Sequence, residues 1–347
     1  MRYPEFLKKH GTIGFVAPSF GCNIEPYKSG LTMAEENFVK RGYAFMEGPN
    51  SRAGEGVGIS NTPEKCGAEL MDFWQKKEVD ALISCGGGEL MCEVLDHLDF
   101  ARLKEQKAKW YMGYSDNTNL TFLLPTLCDT AAIYGPCAPA FGMKPWHPSL
   151  EDAFDLLTGE KLLVNGYELW EKESQKDEEH PLEPYHVTEP VIRKCFQKGS
   201  WLKEQEQVIL KGRLLGGCLD CLSNLAGTRY DRVGEFAEKY AKDGILWFVE
   251  SCDLNVFGIR RALWQLSHAD WFQHVSGFLI GRPACFGQEM MGLDAYEAVL
   301  GVLRQYEVPV IFDVDLGHLP PMMPLITGSM AKVCVSERKM QVQMYLE

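Results

Sequence analysis

No apolar run in this sequence approaches the roughly 20 residues needed to cross a bilayer. The longest, such as ILWFV at 245–249 and FLIG at 278–281, break off after a few positions. The opening, MRYPEFLKKHGTIGFVAPSFG, has no apolar segment of secretory length, so no membrane association and a cytoplasmic location are expected. Positive charge is also short. Thirty-five Lys and Arg stand against 48 Asp and Glu, a formal net charge of -13, which argues against a nucleic-acid binder, since that would need a basic patch. There is no internal repeat and no low-complexity tract. No second cysteine or histidine pair stands at zinc spacing beside Cys218-Leu219-Asp220-Cys221, so no metal is expected. Twelve cysteines are scattered through apolar segments with no export signal, and free buried thiols follow.

What is present is an ordinary globular composition, 46% hydrophobic over 347 residues, enough chain for about two domains. The first half alternates strand and helix patterns. GTIGFVAPS, YAFMEGPN, DALISCGGG and the run into Gly113 read as strands, with MAEENFVKRG, TPEKCGAELMDFWQKKEV and ELMCEVLDHL as the helices between them. That rhythm predicts an α/β fold with a doubly wound, mostly parallel sheet, whose ligand crevice lies at the carboxyl ends of the strands. Residues 166–207 are charged, Pro-containing and poorly periodic, and read mostly as an inserted loop region. Strand patterns return in VILKGRLLGG, DGILWFVES, VSGFLIGRP and VPVIFDVD. Domains of 1–160 and 161–347 fit this division.

The chemistry concentrates at a few strand ends. In Gly113-Tyr114-Ser115-Asp116-Asn117 a serine stands where a buried strand turns into a helix. This is the logic of the G-x-S-x-G elbow, with asparagine, which tolerates left-handed backbone, in place of the second glycine. The same pattern reads equally as a helix N-cap serine. The turn Gly86-Gly87-Gly88 lets backbone approach a ligand and offers N–H groups, but matches neither the dinucleotide nor the P-loop fingerprint. A serine nucleophile needs a histidine. Of the eight, His318 stands apart in the Gly- and Pro-rich loop FDVDLGHLPPMMPL. The carboxylate that would orient it is Glu250, at the end of an apolar strand, with Asp253, Asp313 and Asp315 as competitors.

Taken together, GYSD, the GGG turn, GRLLGGCLDCLSNLAGT, Glu250 and DVDLGH resemble, in order and over nearly the whole chain, the LD-carboxypeptidases and the microcin C immunity proteins of the same serine-peptidase family. The resemblance implies Ser115 as nucleophile, His318 as general base and Glu250 as its partner. It implies an oxyanion hole of the Asp116 and Gly87 amides, flanked by Gly86 and Gly88. It further implies an active site between an N-terminal α/β domain and a C-terminal sheet-containing domain, a homodimer, and no metal or organic cofactor. Cys218 departs from the asparagine expected there. The substrate implied is a small peptide or a peptidyl-nucleotide, cleaved through an acyl-enzyme. Chain length and the tryptophans of the charged segment favour the immunity-like branch, with Trp170, or Trp201 in reserve, stacking on a nucleobase. The alternative is a murein tetrapeptide LD-carboxypeptidase releasing D-alanine. A binding protein without chemistry and a cysteine amidotransferase-type hydrolase fit less well.

Overall fold

The computed structural model describes residues 1–336 and 339–347. Among the described residues the chain forms two compact units. One comprises Met1–Lys161, Glu173–His186 and Pro324–Ile326; the other comprises Leu162–Lys172, Val187–Met323 and Thr327–Glu347.

The first unit is built on a six-stranded sheet in the order Leu325–Thr327, Ala132–Tyr134, Trp110–Gly113, Ala81–Ser84, Thr12–Val16, Ala44–Glu47. From Ala132–Tyr134 to Ala44–Glu47 every pairing is parallel. Ala81–Ser84 and Trp110–Gly113 are buried throughout, which is why their sequences run apolar without alternation. The helix Tyr27–Lys40 begins well before Met33, where the apolar periodicity first shows. Glu25 extends it by accepting from the Ser29 amide at 3.1 Å and the Ser29 hydroxyl at 2.9 Å. Phe38, on the buried side of this helix, meets Phe15, Phe141, Trp146 and Phe154 with ring centroids 5.2–6.0 Å apart.

The second unit carries a nine-stranded sheet. Its parallel centre runs Val310–Val314, Val275–Gly281, Ile245–Glu250, Val208–Cys218. On one side it is extended antiparallel by Met330–Ser336, Lys339–Tyr345 and Leu163–Asn165. On the other it gains Lys194–Gln197 and Ser200–Trp201. Most of 166–207 lies outside helix and strand, as read from its composition, but these two strands were not expected there. Cys195 and Phe196 pair with Ile311 and Val310, so part of the charged segment is sheet edge. The pattern is hidden because the strands are short, four and two residues, and carry charged and polar side chains beside their apolar ones. The helices Val256–His268 and Ala295–Leu303 pack on each other beside the sheet, each burying one apolar stripe.

Phe38 is completely buried among four aromatic rings, and truncation would leave a cavity the neighbours cannot fill. Phe38→Ala is therefore expected to destabilise the first unit by about 3–5 kcal/mol, read as a lower urea midpoint at unchanged slope.

Candidate active site

In the first unit the buried strand Trp110–Gly113 delivers the chain to Tyr114 in extended backbone, and Ser115 then turns left-handed with φ +63°. A residue with a Cβ pays about 1–2 kcal/mol for that conformation. The turn is the strained elbow expected of a strand-to-helix nucleophile. An N-cap residue needs extended backbone. Tyr114 holds that position, which sets aside the capping reading of Ser115. Asn117 does not take the left-handed role expected of it; its φ is -63°. Its use is its side chain. The amide Nδ2 donates to the Gly86 carbonyl at 2.7 Å and the Tyr114 carbonyl at 3.0 Å, and Oδ1 accepts from the Tyr111 hydroxyl at 2.5 Å. Asparagine thus ties the elbow to the glycine turn.

Gly87 faces the serine: a Cβ built there would lie 2.9 Å from Ser115 Cβ and 3.0 Å from its Oγ. Its carbonyl accepts from the Phe20 amide at 2.8 Å, fixing the peptide plane. Gly88 lies against Ser19, and Gly86 against the backbone of Phe20. The Asp116 side chain is structural. It accepts from the Ser19 hydroxyl at 2.6 Å, the Met91 amide at 2.9 Å and Asn119 Nδ2 at 3.0 Å. The Ser115 amide donates to the Tyr134 hydroxyl at 3.4 Å.

In the second unit Glu250 closes the strand Ile245–Glu250, every residue of which is buried. His318 Nδ1 donates to its carboxylate at 2.9 Å, and this bond answers the cost of leaving a charge there. The loop can come that close because Gly317 has φ +101° and no Cβ; one built there would stand 2.5 Å from Glu250 Oε2. The competing carboxylates are engaged elsewhere. Asp313 accepts from the Tyr296 hydroxyl at 2.8 Å, Asp315 from two arginines, and Asp253 is exposed. Burial opposes the charged imidazolium of His318. The Glu250 charge, a hydrogen bond with Cys252 and the bond to Glu250 together outweigh it, and the pKa rises above the ordinary histidine value. With Nδ1–H held by the carboxylate, the basic lone pair of the neutral ring is on Nε2.

A family model for the LD-carboxypeptidase N-terminal domain matches residues 13–135, and one for the LD-carboxypeptidase C-terminal domain matches 211–333. The chain belongs to the LD-carboxypeptidase family. It is a hydrolase. A Vibrio cholerae protein named, by inference only, as a carboxypeptidase is 24% identical, covering 93% of this chain and 92% of its own. Among solved structures, the microcin C7 self immunity protein MccF in complex with aspartyl sulfamoyl adenosine is similar with a TM-score of 0.82 at 21% identity, over 100% of this chain and 99% of that one. The muramoyltetrapeptide carboxypeptidase of Oxalobacter formigenes is similar with a TM-score of 0.71 at 19% identity, over 96% and 98%.

Within this LD-carboxypeptidase fold, the expectation for Trp170 also fails. Trp170 is only 4% exposed, its ring set against Phe286 with centroids 5.1 Å apart and the Arg282 guanidinium 5.3 Å away. It is a core residue and offers no open face to a nucleobase. Trp201 is 44% exposed, but it packs among Phe196, Tyr296 and Phe312. Cys218 is buried, with its thiol 3.5 Å from the Asp220 carboxylate, which in turn accepts from the Cys252 and Asp253 amides just beyond Glu250. Sequence reasoning missed Asn117, Tyr111 and Ser19 as the elbow's supports. A polar residue in a buried helix start was the available signal.

Two substitutions test the elbow. Asn117→Ala removes one partner from the buried Tyr111 hydroxyl and one from the Gly86 carbonyl, which keeps the Ser84 hydroxyl at 3.0 Å, a loss of about 1–3 kcal/mol in all. A clear drop in thermal midpoint together with loss of turnover is expected. Gly87→Ala puts a methyl group against Ser115 and should cost turnover far more than stability, as measured by comparing kcat with the melting temperature.

Proposed function

We propose that this LD-carboxypeptidase-family hydrolase uses Ser115 as nucleophile, His318 as general base and Glu250 as the carboxylate that orients and charge-stabilises the imidazole. The observation that carries the reading is the 2.9 Å bond between His318 Nδ1 and a completely buried Glu250 side chain. It fixes the tautomer a general base requires. Ser115 Oγ adds to the scissile carbonyl as His318 takes its proton, and the Gly87 and Asp116 amides receive the developing oxyanion. The amide of Gly87 has no acceptor among the described residues, which supports this role. Collapse expels the leaving group, protonated by His318, and water then releases the acyl group by the same steps.

For substrate we infer an aminoacyl- or peptidyl-nucleotide, cleaved at its acyl–nitrogen bond. Support comes from the greater likeness of fold to MccF, which has been captured with aspartyl sulfamoyl adenosine. The second reading, release of D-alanine from a murein tetrapeptide, is supported by the likeness to the Oxalobacter formigenes enzyme. A cytoplasmic homodimer follows from the resemblance to the family. With Trp170 in the core, base stacking on that residue is no part of the proposal.

Ser115→Ala should lower turnover by about 10⁶-fold with the fold intact by circular dichroism. A panel of aminoacyl sulfamoyl adenosines beside an L,D-tetrapeptide decides the branch: release of D-alanine alone would overturn the nucleotide reading. The pH dependence has a definite sign. His318 acts when neutral and its pKa is raised, so the rising limb of kcat/KM should lie above the 6–7 range of an ordinary histidine. Glu250→Gln removes the raising charge and leaves burial to act. The limb should move to lower pH while kcat falls, and a limb that stays in place would reject the pairing.

A further inference from the structure

The second unit holds a buried charged cluster that the mechanism above does not use. Asp315 is completely buried. One carboxylate oxygen accepts from Arg282 Nη2 at 2.7 Å; the other accepts from Arg193 and from the Tyr167 amide at 3.0 Å. Both guanidinium side chains are also buried, 2% exposed for Arg193 and 1% for Arg282. Two cations share this one carboxylate out of water, and the buried Asp313 carboxylate lies within reach of their charge. Apolar residues of similar volume would often be as stable, so such a cluster is weak evidence of a stabilising role.

Its hydrogen bonds show what it holds. Arg282 Nη1 donates to the Asp313 carbonyl at 2.9 Å, and Arg193 to the Tyr167 carbonyl at 3.2 Å. The Asp315 carbonyl accepts from the Met323 amide at 2.6 Å, and the Pro320 carbonyl from the Glu171 amide at 2.6 Å. The loop is therefore pinned at 313, 315, 320 and 323, on both sides of His318. Two of the pins, Tyr167 and Glu171, come from the charged segment, as does Arg193. We propose that Asp315, clamped by Arg193 and Arg282, is the positioning residue for His318, and that the charged segment serves as the frame against which the histidine loop is set. This rests on His318 being the base. A bond to Glu250 alone would fix one ring nitrogen but leave the loop free to swing the ring about it, and a displacement near 1 Å can cost about 100-fold in rate.

The test uses the full chain with Arg193→Met, which keeps the apolar stem and removes the fork, and Arg193→Lys, which restores charge without the fork. Two readouts are taken: kcat against KM on whichever panel substrate turns over, and the proton resonance of His318 Nδ1–H, assigned by its loss in His318→Gln. Arg193→Met should lower kcat by about 10–100-fold with KM changed less than about threefold, and broaden the resonance or speed its exchange with water. Arg193→Lys should recover part of both. A folded Arg193→Met protein with normal kcat and an undisturbed resonance would overturn the proposal. Should Arg193→Met not fold, Asp315→Asn and Arg193→Lys are read in the same two ways. A lowered kcat with a disturbed resonance then supports the clamp, and normal values of both overturn it. If instead Ser115→Ala retains hydrolysis, the catalytic reading fails while the resonance still reports whether the cluster holds the histidine.

Discussion

A carboxylate at the end of a wholly apolar strand is costly to bury, and the second unit is organised around answering that cost at Glu250. The imidazole of His318 supplies the bond, and the chain must bring it there from a different strand. Gly317 removes the Cβ that would collide with the carboxylate, and the parallel strands on either side end at the same level. The consequence is chemical. A histidine so held has its pKa raised and its tautomer chosen: Nδ1–H is tied to the carboxylate, which leaves Nε2 as the basic nitrogen of the neutral ring. Stability and reactivity are thus set by one hydrogen bond.

The elbow in the first unit solves a different problem. A serine in left-handed backbone is strained, and the surroundings must over-determine it for the strain to persist. The usual device is a glycine two residues on. Here Asn117 does the work by bonding instead of by absence of a side chain, spanning Tyr111, Tyr114 and Gly86 in one step. The elbow and the glycine turn are therefore tied together by one side chain. Asp116 adds a second tie, through Ser19 and Met91. The result is a serine whose neighbours are backbone and rigid polar groups, a suitable setting for preorganised N–H donors.

The charged segment shows how composition can mislead. Its charge and weak periodicity suggest solvated loop, yet Arg193 and Trp170 are buried and Lys194–Gln197 adds a strand to the sheet edge. A guanidinium can be buried when a carboxylate answers its charge, and here Arg193 Nη2 donates to Asp315 and to the Tyr167 carbonyl. No linear pattern announces such a pairing, since its members lie 122 residues apart.

The sequence by itself determined the alternation of strands and helices, the parallel character of the first sheet and the residue types at the strand ends. These depend on local periodicity and on steric rules that act over a few residues. Ser115, Glu250 and His318 stand out in the sequence because each breaks an apolar or glycine-rich pattern at a turn. Tertiary structure alone decided which carboxylate meets the histidine, that Asn117 acts through its side chain, and that Trp170 belongs to the core. Each of those outcomes is set by which groups distant in the chain share one small volume. There the desolvation of a polar atom or the closeness of a ring leaves a single satisfactory partner, and local sequence carries no record of it.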